Sequence, residues 1–183
     1  MGIILLIIYI LAVFVLMALI LFFYVTFFLS WWHGTLFLPT KKSRVTAFLE
    51  ICNLNESDTM YDLGCGDGRI LIAARQLGVG QAVGYEIGWW PFLIARLLTR
   101  KDQGISIFRR HLEDATIENA TMIYIYLFPQ VTQRVARLVS KKCKQGTNLL
   151  SIQFPVENWH LLGLRLLTTK KVDTITAYLY QKI

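Results

Sequence analysis

The sequence predicts an α/β fold: a mostly parallel sheet covered by helices, closed by a C-terminal antiparallel hairpin and preceded by one transmembrane helix. Three observations carry this. No Lys, Arg, Asp or Glu occurs before Lys41. After it, strand-like and helix-like segments alternate regularly as far as Phe154. The chain then ends on two strand-like stretches around a polar turn.

Residues 3–29 are apolar or aromatic apart from Thr26 and the tyrosines, and as a helix they rise roughly 40 Å against a hydrocarbon core of about 30 Å. They span with tilt. A cleaved signal peptide needs a basic start, a shorter apolar run and a small-residue cleavage site, none of which is present, so an uncleaved anchor is expected. Tyr24, Trp31 and Trp32 suit an interfacial aromatic belt, and Lys41, Lys42 and Arg44 beyond them place the following domain in the cytoplasm.

Residues 46–52 read as a leading helix, and strands follow at 59–63, 81–87, 105–109, 121–127 and 148–154. Between them, helices are expected at 69–77, at 91–101 with Pro91 at the start, and at 131–142, where Val131, Val135, Leu138 and Val139 recur at helical spacing. This is a βαβ series, hence a parallel sheet buried on both faces. The links between the third and fourth strands and after Phe154 are too short for full helices. Residues 164–167 and 174–180 complete a hairpin around a turn at 170–173. The expected organisation is an anchor at 1–32, a linker with the leading helix at 33–58, and a ligand-binding domain at 59–183.

Every formal charge, including the net +7, belongs to the part after the anchor, although the whole chain is 55% hydrophobic. A basic domain is compatible with nucleic acid, anionic lipid or an acidic partner, and the position of the first cluster favours lipid. Cys52, Cys65 and Cys143 are odd in number and widely spaced, and His33, His111 and His160 are scattered, so neither disulfides nor a metal site are expected. No appended RNA-binding module is seen, and no nucleic-acid partner is expected.

Asp62-Leu63-Gly64-Cys65-Gly66-Asp67-Gly68 closes the first strand and opens a helix, with three glycines that let backbone approach a ligand. A dinucleotide fingerprint requires Gly in place of Arg69, and a P-loop requires a Gly-Lys-Ser/Thr ending, so both alternatives fail on spacing. The next strand ends in Glu86, an acceptor-only group with two oxygens that matches the two vicinal hydroxyls of a ribose. Taken alone it reads as a solvated strand-end acid; joined to the glycine loop, it reads as a ligand residue. Ile87 and Trp89 follow as an apolar wall, although Trp89 and Trp90 also suit core packing or membrane contact.

The glycine run is similar to the first motif, E/D-x-G-x-G-x-G, of class I S-adenosylmethionine-dependent methyltransferases. Together with Pro39-Thr40, Val83-Gly84-Tyr85-Glu86, Ala120-Thr121, Tyr124-Ile125-Tyr126-Leu127-Phe128-Pro129 and Ala177-Tyr178-Leu179-Tyr180, it makes the chain resemble one branch of them. That branch is the ATP synthase c-subunit and adenine nucleotide translocase lysine N-methyltransferases with their prokaryotic relatives. The resemblance implies a Rossmann-like sheet and S-adenosylmethionine as cofactor. It carries cofactor contact to Thr40, Asp62, Gly64, Cys65, Gly66, Asp67, Gly68, Glu86, Ile87, His111 and Leu112, and transfer to the neighbourhood of Tyr126, Phe128 and Pro129. Where similar sequences carry Gly-Asp after the third strand, Arg110-His111 stands here; Glu113 and Asp114 are either substitute acceptors or ordinary loop charges. Tyr126 is equally a core aromatic.

A membrane-anchored methyltransferase acting on a lysine of a membrane-associated protein is therefore expected. A lipid or small apolar acceptor, and a non-catalytic cofactor-binding module at the membrane, are the alternatives.

Overall fold

The computed structural model describes the backbone of residues 2–32 and 42–183, and the side chains of residues 2–25 and 43–183. Contacts divide the chain into two units, Met1–Leu36 and Phe37–Ile183.

Among the described residues, the first unit contains one helix, α1 (Gly2–Trp32), apolar in sequence on every side. Its Gly2–Val25 portion is long and apolar enough to cross a membrane. A helix with no polar face has no reason to lie along an interface, where an amphipathic one would be favoured. The expectations at Pro39 and Thr40 lie outside the described residues, as do the side chains of Trp31 and Trp32.

In the second unit, the strands are β1 (Thr59–Leu63), β2 (Gln81–Tyr85), β3 (Ile105–Phe108), β4 (Met122–Ile125), β5 (Asn148–Ile152), β6 (Leu164–Val172) and β7 (Ile175–Lys182). They form one seven-stranded sheet in the order β3-β2-β1-β4-β5-β7-β6. The first five strands are mutually parallel, and β7 runs antiparallel to both β5 and β6. This is the predicted sheet with its predicted antiparallel end.

Period-two alternation builds both faces. Tyr61, Leu63, Ile123, Ile125 and Leu149 point to one side, where Val131, Val135, Ala136 and Val139 of α5 (Pro129–Lys142) cover them. Met60, Met122, Tyr124, Leu150 and Ile152 point to the other, beneath Ile70 and Ala74 of α3 (Arg69–Gln76) and Val45, Phe48 and Leu49 of α2 (Lys42–Leu49). The leading helix is thus part of the core: these three α2 side chains are buried, and Arg44 Nε donates to Asp173 Oδ2 at 2.8 Å. Helix α4 (Trp89–Thr99) buries Phe92, Ala95 and Thr99.

Several boundaries differ from those expected, each for a physical reason. The leading helix begins earlier and closes as a 3-10 turn at Glu50–Cys52. Strand β2 stops at Tyr85, although Glu86 N still donates to Phe108 O at 3.1 Å, and the chain turns at Gly88 into the next helix. Helix α4 starts at Trp89, which places Pro91 third in the helix, where its missing N–H removes no helical bond. Helix α5 starts at Pro129 rather than Val131. The hairpin is longer than expected: β6 continues through Lys170 and Lys171, and only Asp173, with φ 55°, and Thr174 form the turn.

Because α3 leaves β1 toward one face and α5 leaves β4 toward the other, the adjacent carboxyl ends of β1 and β4 open a crevice, the topological switch point where α/β sheets bind ligands.

Candidate cofactor and transfer site

The loop after β1 holds its shape through glycine. Gly64, Gly66 and Gly68 have φ of 92°, 56° and 79°, in the left-handed region that side chains disfavour. Gly64 N and Cys65 N both donate to Tyr85 O, at 2.8 and 3.1 Å, tying the loop to the end of β2. Gly68 N donates to Cys65 O at 2.9 Å and Gly68 precedes the first residue of α3. A Cβ on Gly64 would stand 2.9 Å from Leu127 Cδ2, so the loop and the end of β4 are in close approach.

Glu86 completes the loop. Its Oε2 accepts from Gly66 N at 2.9 Å and its Oε1 from Gly88 N at 2.7 Å, while the side chain is buried. With the Ile87 amide also directed at it, the carboxylate keeps part of its acceptor capacity, which a ribose hydroxyl can use. Burial raises its pKa, against the lowering effect of the Gly88, Gly66 and Ile87 amides.

Asp62 lies at the end of β1, paired across the sheet with Gly84 and Tyr124, and is 2% exposed. Its Oδ2 has no hydrogen-bond partner among the described residues. Burial, then the charges of Glu86 and Asp67, push its pKa well above the usual carboxylate range. Asp67 behaves differently: burial opposes ionisation, but the Arg69 side chain bonded to both its oxygens, at 2.9 and 2.6 Å, holds its pKa below normal. A crevice with three carboxylates in a chain of net charge +7 suits a ligand that is cationic beside its ribose. S-adenosylmethionine, with a sulfonium and an ammonium, has that character, and the unpartnered Asp62 oxygen, the acceptor at Glu86 and the bare glycine backbone all fit it.

A raised folded-state pKa means that Asp62 favours the fold below the ordinary carboxylate range and that this contribution is lost as pH rises through its folded value. Asp62→Asn is therefore expected to stabilise the cofactor-free protein at pH 8 by about 1–3 kcal/mol. The gain should shrink as pH falls through the raised folded value of Asp62 and vanish below about 4, the unfolded carboxylate value. Thermal melts of parent and variant at several pH values, with and without cofactor, measure it; a gap that persists unchanged at low pH contradicts the charge argument.

The other expected residues distribute unevenly. Cys65 turns its thiol inward, packed with Leu71 and Ala82, so only its backbone faces the loop; burial and then the Asp62 and Glu86 charges raise its pKa. Ile87 is half-buried beside Glu86. His111 stands at the residue before the 3-10 turn Leu112–Asp114, without a side-chain cap bond and with its side chain exposed, and Leu112 packs against the α5-side core. Glu113 is bound to Arg134 at 3.0 Å and lies 3.8 Å from His111 Nδ1, which favours a surface ion pair over a substitute acceptor. Tyr126 is half-buried against the α2- and α3-side core, whereas Phe128 is 40% exposed at the start of α5 and Pro129 is its first residue. Thr132 Oγ1 donates to Leu127 O at 3.0 Å and fixes that corner.

Sequence reasoning quoted Gly84 and Leu127 only inside motif runs, with no role of their own, and did not name Gly88. A Cβ at Gly84 would lie 2.7 Å from both Cys65 Sγ and Leu71 Cδ1, so β2 must be bare where the glycine loop passes. The Gly-x-Glu-x-Gly spacing at 84, 86 and 88 is the available signal.

Residues 62–162 match the family described as the ANTKMT methyltransferase domain. The chain is 33% identical over 129 residues to a protein-lysine N-methyltransferase of Saccharolobus islandicus (strain REY15A), covering 68% of this chain and 80% of that one. It is 31% identical over 122 residues to the adenine nucleotide translocase lysine N-methyltransferase of Mus musculus, covering 65% of this chain but only 52% of the mouse protein. A solved structure of an RNA methyltransferase from Salinibacter ruber with S-adenosyl-L-homocysteine superposes with a TM-score of 0.73 at 29% identity, over 79% of this chain and 93% of that one. With the sheet order, the glycine loop and the carboxylate pair in place, the chain belongs to the ANTKMT methyltransferase domain family and is a class I S-adenosylmethionine-dependent methyltransferase.

Proposed function

We propose that the enzyme methylates a lysine side chain on a membrane-associated protein, working on the cytoplasmic side of a membrane in which α1 is the anchor. The observation that carries the lysine reading is the identity to the archaeal protein-lysine enzyme over 80% of that protein's length. The charge-free Gly2–Val25 span supports the membrane reading.

In this reading the Gly64, Gly66 and Gly68 backbone, with Asp62, Asp67, Ile87, His111 and Leu112, frames the cofactor, and Glu86 takes its ribose hydroxyls. Thr40 lies outside the described residues, and its assignment to the cofactor rests on the family resemblance alone. The cofactor supplies an electrophilic methyl carbon on a positively charged sulfur. The chain's part is to hold a lysine nitrogen in line with that carbon and to exclude water, which can supply much of the acceleration. The amine must arrive unprotonated or lose its proton at the site. Phe128 offers an aromatic face to the lysine cation as it enters, Tyr126 accepts a hydrogen bond from the amine, and Pro129 fixes the start of α5 beside them; the Phe128 carbonyl is taken by Val131 N and Thr132 N, both at 2.9 Å.

Membranes incubated with methyl-labelled cofactor test this directly. Label on lysine of a membrane protein is expected. Label on a lipid, a small apolar molecule or RNA, or cofactor binding without any transfer, overturns the lysine assignment; the RNA arm matters because the Salinibacter relative is named for that activity.

Glu86→Ala should weaken cofactor binding by about 1–3 kcal/mol, roughly five- to 150-fold, through lost hydrogen bonds. Calorimetric titration reads this, and unchanged affinity removes the ribose role. For orientation, protease added to intact cells should spare the domain and cleave it only after lysis, because the positive residues follow the span.

A further inference from the structure

Helix α4 presents an apolar face that its own unit leaves about half exposed. Trp89, Trp90, Leu93, Ile94, Leu97 and Leu98 follow the spacing i, i+1, i+4, i+5, i+8 and i+9, and each is between 45% and 59% exposed. Single exposed apolar residues are ordinary, but six contiguous on one helix are not. The opposite face, with Phe92, Ala95 and Thr99, is buried, so the helix cannot turn to hide the first.

The surroundings are basic. Arg96 and Arg100, one turn apart, lie along the edge of the apolar face, and Lys101 follows. The Arg109 guanidinium lies 4.2 Å from the centre of the Trp89 ring, with Arg110 beside it in sequence. No acid occurs from Trp89 to Lys101, and the next residue, Asp102, is held by Arg75 Nε at 3.2 Å.

We propose that this face of α4 is a second membrane contact, lying in the headgroup layer of an anionic bilayer with its tryptophans and leucines among the acyl chains. The proposal takes its membrane setting from the function proposed above. An apolar face edged by Arg and Lys and led by Trp is the composition that interfacial helices use, and the arginines meet lipid phosphates. A second copy fits less well, because a two-fold contact would bring Arg96, Arg100 and Arg109 against themselves. Docking of this face has a functional consequence: α4 begins three residues after Glu86, so it brings the rim of the cofactor site to the bilayer surface.

The test uses the full chain in vesicles of phosphatidylcholine, alone or mixed with phosphatidylglycerol. Cys52, Cys65 and Cys143 are buried, so Leu97→Cys supplies the reactive thiol for an environment-sensitive fluorophore, and Glu157→Cys, at an exposed position, serves as control. In anionic vesicles the label at 97 should shift to the blue and be quenched by bromine-substituted lipid, while the label at 157 is not. Arg96→Glu with Arg100→Glu should lose the effect, and high salt should weaken it. Calorimetric cofactor binding verifies that each variant is folded.

A chain that floats with the vesicles but keeps a water-like label at 97 overturns this proposal and leaves the α1 anchor standing. A chain that does not float overturns both. Equal quenching without anionic lipid overturns the headgroup assignment. Shielding that appears in detergent as protein concentration rises, or only on adding a membrane protein, assigns the face to a second copy or to a protein partner instead.

Discussion

Gly66→Val is expected to abolish cofactor binding while leaving the domain folded. Gly66 has φ 56°, where a non-glycine residue costs about 1–3 kcal/mol, and a β-branched one sits at the upper end. The substitution also adds three carbons to the loop that must come against the ligand with bare backbone. Its N–H donates to Glu86 Oε2 at 2.9 Å, so moving the loop to relieve strain displaces the ribose acceptor as well. The combined loss should exceed about 3 kcal/mol, more than a hundredfold, which carries the titration beyond detection. Because Gly66 belongs to no strand ladder or helix, the circular dichroism of the variant should match the parent. Near-parental affinity would show that the loop does not meet the cofactor.

The second large effect concerns the anchor. A chain beginning at Leu36 should bind the cofactor as the full chain does, yet methylate a membrane-embedded target about 10²- to 10⁴-fold more slowly, since tethering in one bilayer raises effective concentration. Reach sets the geometry of the target. With α1 as the proposed anchor, the stretch from Trp31 to Lys42 can extend at most about 40 Å, so the proposed acceptor lysine is expected in a loop or helix end near the membrane surface. Initial rates on the target in vesicles, compared between the two chains, decide it. Equal rates would sink the tethering argument. Labelling confined to soluble proteins would remove the membrane substrate altogether.

What the sequence makes legible is local. Strand β1 was bounded correctly because its alternating Met60-Tyr61-Asp62-Leu63 runs straight into glycine, and the loop and Glu86 were found because motif and strand end lie twenty residues apart in a fixed pattern. What depends on register across strands was not legible. That Cys65 packs inward against Leu71, and that Gly84 must lack a side chain there, follows only when Asp62 is paired with Gly84. The hairpin misled for a related reason: Lys170 to Asp173 looks like turn chemistry, but pairing of Lys170, Lys171 and Val172 with Ala177, Thr176 and Ile175 holds all but Asp173 in the ladder. The exposed side of α4 carries the same periodicity as a core helix, and only burial distinguishes the two.

Strand β7, made after β6, lies inside the sheet between β5 and β6. During synthesis, therefore, β6 emerges with no neighbour to join, and the β5 edge stays bare until residues 175–182 have been made. A ribosome stalled before Ile175 leaves a domain with an open edge, the form most prone to pair with another chain. A chain released before residues 175–182 are made is therefore expected to aggregate through its β5 edge, which the full chain closes with β7.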